Sequence, residues 1–166
     1  MAQSASGRGS SGTPDRRRQA RLAAVQALYQ LELGELTPKS VITEFLQYRL
    51  EEDIEGVRLG RIDRGLFGEL VEQVPAQRSD LQDMLAGALG EDWTVERLER
   101  LLRIILECGI YELAERPSVP LNIVINEYVE LARAFFEDRE PGLVNAVLDR
   151  LGHVLRESPA PTGTAH

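Results

Sequence analysis

The chain has 166 residues, of which 43% are hydrophobic and 28% charged, and its formal net charge is −8. This composition is typical of one soluble folded domain and excludes an intrinsically disordered chain. No apolar run approaches the roughly 18 residues of a membrane span, and no apolar segment of a secretory signal opens the chain, so we expect neither.

The few chemically reactive side chains give no sign of catalysis. A single cysteine, Cys108, excludes an internal disulfide and favours a reducing, cytoplasmic setting. Two scattered histidines and one cysteine predict no metal site. The P-loop, serine-nucleophile and zinc-protease motifs are all missing. We therefore expect no cofactor and no catalytic residue, and so no enzyme.

Charge is distributed unevenly along the sequence. The first 21 residues contain five arginines and one aspartate, a formal charge of +4, and subtracting it from −8 leaves −12 for the remainder. A basic segment attracts polyanions, whereas an acidic surface repels them and favours a basic protein partner. The distribution therefore predicts a local polyanion site on a chain that also binds a basic protein.

The chain is predicted to form one helical domain between two disordered tails. Residues 1–14 are rich in Gly and Ser and predict a disordered tail, as do residues 158–166 at the other end. A single helical domain is expected over 15–157. Its first helix runs from about residue 16 to Leu33, with Asp15 as N-cap.

Three further helices complete the expected N-terminal subdomain, which extends to about residue 90. Thr37 precedes a proline and predicts the start of the second helix. Residues 51–61 are acidic and broken by glycine, which predicts a loop. Asp63 and Ser79 are the predicted caps of the third and fourth helices.

The second half, 91–157, predicts a C-terminal subdomain of three helices. Thr94 is the expected cap of a long fifth helix, and an apolar stripe over 121–136 predicts the sixth. Residues 137–142 read as a turn, and the seventh helix follows from Leu143. The predicted fold is all-α, with about seven helices in two packed helical subdomains.

Four polar residues on these helices are expected to be structural. Glu112 falls on the apolar stripe of the fifth helix, where we expect its carboxylate to accept hydrogen bonds from the free amides that begin the sixth. Asn126 and Glu127 on the sixth helix, and Asn145 on the seventh, predict helix–helix hydrogen bonding. Cys108 is expected in the core.

The arginines near the start of the first helix are Arg16, Arg17, Arg18 and Arg21. If the helix begins near Asp15, the last three lie within about 100° of arc and their guanidinium groups fan from one side. The guanidinium fork matches phosphate oxygens, and a helix N-terminus adds positive potential. The cluster predicts a small RNA clamp that is weak and salt-sensitive alone.

Four segments in this order resemble the NusB family of bacterial transcription antitermination factors: RRRQARLAAVQALYQ, ILECGIYEL, VPLNIVINEYVELARAF and LVNAVLDRL. The resemblance covers roughly residues 16–156. It implies an all-helical, non-catalytic protein that binds the boxA element of nascent RNA jointly with NusE, a small-subunit ribosomal protein. It also implies assembly with other Nus factors on RNA polymerase in the cytoplasm, in support of ribosomal RNA transcription.

The resemblance also implies roles for particular residues. RNA contacts are implied for the arginine-rich start and for the turn around Asp138, Arg139 and Leu143. A NusE-facing side is implied for Tyr29 and for the fifth helix near Glu96 and Leu102.

Two positions depart from the family pattern. Glu107 replaces a frequent arginine at what reads as a polar-face position of the fifth helix. Leu143 replaces an aromatic residue and stacks less well on a base, while Arg139 adds positive charge to the same turn.

Two alternatives remain open at this stage. One is a regulatory homodimer that hides the arginine face, which the apolar surface left exposed by the fifth helix would distinguish. The other is an accessory domain in ribosomal RNA processing without catalytic activity of its own. A NusB-like domain also occurs in ribosomal RNA cytosine methyltransferases, but we find no glycine-rich methyl-donor domain here and so expect no free-standing enzyme.

Overall fold

The computed structural model describes residues 2–34, 36–45, 53–54, 57–58 and 62–157, and the side chains of 14–34, 36–45 and 62–156. The described residues form seven α-helices, one 3₁₀ helix and one short antiparallel strand pair. The predicted all-α class is confirmed. The elements are α1 (Ala2–Leu33), α2 (Pro38–Glu44), β1 (Asp53–Ile54), β2 (Val57–Arg58), α3 (Arg64–Ala76), α4 (Arg78–Ala88), the 3₁₀ helix (Val95–Arg97), α5 (Arg100–Glu115), α6 (Leu121–Arg133) and α7 (Arg139–Glu157).

Helix α1 begins earlier than the sequence predicts. The helix continues back to Ala2, so residues 2–14 are helical rather than a disordered tail, and Asp15 lies inside the helix rather than at its cap. Extending an existing helix adds one hydrogen bond for each residue fixed, whereas starting one is unfavourable. This propagation offsets the weak helix propensity of the glycines and serines. The predicted C-terminal tail lies outside the described residues.

Two helix starts are confirmed by their capping hydrogen bonds. Thr37 Oγ1 accepts from the backbone N–H of Ser40 at 3.2 Å, ahead of Pro38 in the first position of α2. Asp63 Oδ1 accepts from the N–H of Leu66 at 3.0 Å at the start of α3. Each cap satisfies an amide that has no partner within its helix.

Three other boundaries differ from prediction. Helix α4 begins at Arg78, so Ser79 is inside it. Thr94 precedes the 3₁₀ helix rather than α5, which restarts at Arg100 after Glu99. Between β1 and β2, Asp53 pairs with Arg58 and Ile54 with Val57, within the stretch predicted as a loop.

The chain divides into two compact units between Pro75 and Ala76. This division differs from the predicted subdomain boundary near residue 90, because α4 packs against α5 and α7 and so belongs to the second unit. In the first unit the rings of Phe45 and Phe67 lie 5.7 Å apart, centroid to centroid. No described helix combines the length and apolar character that a membrane span requires.

Helix α5 is the centre of the second unit, with contacts to α4, α6 and α7. Its residues from Ile104 to Leu113 are all buried. Gly109 allows close approach, because a Cβ built there would lie 2.8 Å from Leu148 Cδ1 and 3.4 Å from Tyr128 Cγ. The close packing of α5 therefore depends on a residue without a side chain.

Candidate nucleic-acid interface

The arginine cluster lies on α1 at the point where α3 is anchored. Arg16 and Arg18 are exposed and Arg17 is half-buried. The backbone N–H of Asp63 donates to the carbonyl oxygen of Arg16 at 3.1 Å, which joins the start of α3 to this turn of α1. Two guanidinium groups are thus accessible to a polyanion on a turn whose backbone is held in place.

Arg21 does not belong to this accessible set. Its side chain is 2% exposed, so the expectation that it fans out beside Arg17 and Arg18 is wrong. The spacing from Arg21 to Val25 and Leu28, four and seven residues on, places it on the stripe that α1 buries, and both of those residues are 0% exposed. The accessible cations of the cluster are therefore Arg16 and Arg18, with part of Arg17.

The turn between α6 and α7 lies at 134–138, earlier in the chain than the predicted 137–142. Because α7 begins at Arg139, that residue and Leu143 lie in the first turns of the helix, and Asp138 immediately precedes it. Asp138 and Arg139 are exposed, and Leu143 is half-buried. The guanidinium carbon of Arg139 lies 4.5 Å from the ring centroid of Trp93, a cation–π distance.

A polar cleft lies between α6 and α7 in the second unit. Its lining includes Asn126, Glu130 and Arg133 from α6, Asp138 just before α7, and Asn145 from α7. Both asparagines are exposed. Glu130 and Arg133 form an ion pair at 3.1 Å. The structural role predicted for Asn126 and Asn145 remains a prediction, and their amides face a cleft open to solvent.

Helix α5 carries two fully buried carboxylates. Tyr128 Oη donates to Glu112 Oε2, so the partner shown for Glu112 is a side chain on α6. Glu107 accepts from Gln82 Nε2 at 2.8 Å, from Arg103 Nη1 at 2.9 Å and from Arg78 Nε at 3.4 Å. The expectation of a polar-face Glu107 is wrong because these partners on α4 and α5 surround it.

The Cys108 thiol is unsuited to nucleophilic chemistry. Burial raises its pKa well above the ordinary value, and the charges of Glu107 and Glu112 raise it further. The thiol is therefore protonated at neutral pH and acts as a core side chain. Among the described residues, no group of three His, Cys, Asp or Glu side chains is placed to hold a metal ion.

Comparison with known proteins identifies the family. The NusB family profile matches residues 18–153. The chain belongs to the NusB family. The transcription antitermination protein NusB of Rhizobium etli CFN 42 is 43% identical over 144 residues, which cover 87% of this chain and 90% of that protein. NusB of Sinorhizobium fredii NGR234 is 44% identical over 137 residues, 82% and 86% of the two chains.

A solved structure of T. maritima NusB shares the fold. Its TM-score is 0.62 at 24% sequence identity, and the match covers 84% of this chain and 92% of that one. Membership of the NusB family therefore agrees with the all-α fold, and it places the chain among transcription antitermination proteins.

The residues expected on the NusE-facing side of this NusB-family protein differ in accessibility. Glu96 is exposed and Tyr29 is half-buried. Leu102 is 1% exposed, so its side chain is not accessible to NusE, and its role on that side stays a prediction. It shares the inward face of α5 with Ile105, three residues on, which is why packing covers it.

Sequence reasoning missed Arg156, which closes the C-terminal end of α5. Its guanidinium donates to the carbonyl oxygens of Leu113 at 2.7 Å, Val119 at 2.8 Å, Arg116 at 3.1 Å and Glu112 at 3.4 Å. Carbonyls at a helix end have no partner within the helix, and a cation there is also favoured by the helix dipole. No local pattern signals this contact, because about forty residues separate the partners along the chain.

Proposed function

We propose that this chain is an RNA-binding antitermination factor that binds boxA-type RNA jointly with NusE, in the cytoplasm. The complex then joins other Nus factors on RNA polymerase and supports processive transcription of ribosomal RNA operons. The observation that carries the proposal is the exposure of Arg16 and Arg18 on an otherwise acidic member of the NusB family.

The charge distribution supports a two-part mode of binding. Two or three guanidinium groups neutralise few phosphates, so RNA binding by the chain alone is weak, with Kd on the order of 10⁻⁴ to 10⁻⁶ M. The remaining residues carry a formal charge of −12 and repel RNA, but they attract a basic protein. A basic ribosomal partner therefore adds both binding surface and positive charge.

The decisive experiment is RNA binding across salt concentrations, with and without NusE. We expect weak, salt-steep binding alone and tighter binding with NusE. For single-stranded RNA, each lost phosphate contact lowers the slope of log K against log salt by about 0.7. R16Q and R18Q should each lower the slope by up to that amount, whereas K39Q, which removes an exposed charge on α2, should not.

Arg21 provides a second, opposite expectation. Because its side chain is buried, R21Q should lower stability more than it lowers the salt slope. RNA binding by an R16Q/R18Q double variant that matches the wild type at every salt concentration would refute the arginine site.

The partner surface is tested with Glu96. Charge reversal in E96K should weaken NusE binding. E115K, which reverses an exposed charge at the C-terminal end of α5, is the matched control and should not weaken it. Equal NusE affinity of the two variants would remove Glu96 from the proposed surface.

The homodimer alternative receives no support from α5. Its apolar side chains are buried within the chain, apart from the half-buried Leu101 and Ala114, so the described part of α5 leaves no apolar face for a second copy.

A further inference from the structure

Trp93, the single tryptophan of the chain, forms a defined contact with a residue at the start of α7. The Arg139 guanidinium carbon is 4.5 Å from its ring centroid. Trp93 is half-buried, and its backbone N–H donates to the carbonyl oxygen of Gly90 at 3.1 Å. This hydrogen bond fixes the turn on which the ring lies. An exposed arginine therefore lies against an aromatic ring that is itself held in place.

Arg139 is exposed, so its N–H donors stay accessible to a ligand beside this contact. Stacking uses the flat face of a guanidinium, whereas its five N–H donors lie in the plane of the group. Glu137, Asp138 and Glu140 are its near neighbours in sequence, yet in the described part of the chain no ion pair engages the Arg139 guanidinium. The ring thus holds the cation where adjacent carboxylates do not bind it.

We propose that Trp93 is a positioning residue that holds Arg139 for contact with a phosphate of single-stranded RNA. This inference rests on the proposed RNA-binding function. A free arginine side chain loses several rotatable bonds when it contacts a ligand, and a side chain already restricted by stacking loses fewer. The acidic neighbours add a second reason, since an unstacked Arg139 is drawn toward them and away from the RNA.

The test is a double-variant cycle on the full chain with a short boxA-type RNA and NusE, followed by anisotropy of the labelled RNA. W93L removes the ring and retains an apolar side chain, and it should weaken binding about two- to five-fold, the factor that such a stack is worth. R139Q should weaken binding at least as much and lower the salt slope by up to about 0.7. W93F retains a smaller ring, so its affinity should lie between those of W93L and the wild type.

The double variant separates positioning from folding. If Trp93 acts through Arg139, W93L/R139Q binds no more weakly than R139Q alone, because the ring then has nothing to position. R133Q, which removes an exposed arginine on α6 that is ion-paired with Glu130, is the matched control and should have a smaller effect. Tryptophan emission of the wild type should also change on RNA addition, and in R139Q it should change less.

The outcomes distinguish this inference from the function it rests on. Additive losses from W93L and R139Q, an unaffected W93L, or an R133Q effect equal to that of R139Q would each overturn the positioning role and leave RNA binding intact. Wild-type protein that binds no RNA, with or without NusE, would overturn both.

Discussion

Removing the buried carboxylate of Glu107 should destabilise the second unit strongly. Its side chain is 0% exposed and is held by Gln82, Arg103 and Arg78 at 2.8, 2.9 and 3.4 Å. Breaking a buried ion pair by removing one partner costs about 3–5 kcal/mol, because the other charge stays uncompensated.

The loss of stability expected for Glu107 is smaller than this because the two arginines that contact it are partly exposed to solvent. The side chains of Arg103 and Arg78 are 14% and 28% exposed, so water stabilises them in part after the carboxylate is lost. We therefore expect E107A to lower the free energy of unfolding by about 2–3 kcal/mol. E107Q retains the shape and one amide acceptor for Gln82, so the expected loss is about 1–2 kcal/mol.

Urea unfolding at neutral pH, followed by the helical circular-dichroism signal, measures these losses. E115Q is the matched control, because Glu115 is exposed on the same helix, and it should change stability by less than about 0.5 kcal/mol. A wild-type free energy of unfolding in E107Q would refute the view that Glu107 is a charge-dependent link between α4 and α5.

Three further outcomes are expected. R156A should lower stability by about 1.5–3 kcal/mol through loss of its bonds to the end of α5, and R156K should recover only part because an ammonium lacks the planar fork; full recovery in R156K would contradict this. G109A should destabilise the protein by about 1 kcal/mol because its Cβ meets Leu148, whereas G87A, on an open part of α4, should stabilise it by about 0.5–1 kcal/mol. Melting temperatures that shift in the same direction in both variants would count against the packing argument. Because the pKa of Cys108 is raised, the folded state keeps its thiol proton to higher pH than the unfolded state, so stability should fall as pH rises above the ordinary thiol pKa, by up to about 1.4 kcal/mol per pH unit. C108A should remove this part of the pH dependence in urea unfolding, and identical pH profiles of the two proteins would exclude the Cys108 contribution.

Of the five N-caps predicted from local patterns, two are confirmed, whereas Asp15 and Ser79 lie inside helices and Thr94 precedes a 3₁₀ helix. Thr37 and Asp63 were correctly identified as caps because each bonds an amide three residues away. Thr94 has the same local signal, but the chain forms a 3₁₀ turn and begins α5 six residues later. Whether such a signal starts a long helix or a single turn depends on packing, which a cap does not encode.

The candidate site shows the same division. Exposure of Arg16 and Arg18 agrees with the expectation from charge, whereas Arg21 and Leu102 proved to be buried. The helical period indicates burial in both cases, since each residue lies three or four positions from an inward apolar residue. Glu107 also lies three residues from the buried Ile104 and Ile110, but its partners on α4 are 25 and 29 residues away along the chain and have no local signal.

The sequence by itself determined the helical class, the caps Thr37 and Asp63, the arginine-rich start of the first helix and membership of the NusB family. These properties depend on hydrophobic periodicity, on contacts within about four residues and on motifs read in order. Only the tertiary structure decided the contacts of Glu107 with α4, the closure of α5 by Arg156 and the cation–π contact of Arg139 with Trp93. These contacts join residues far apart in sequence, and their formation depends on how the helices pack, because the free energy of a buried or stacked charge is set by its surroundings.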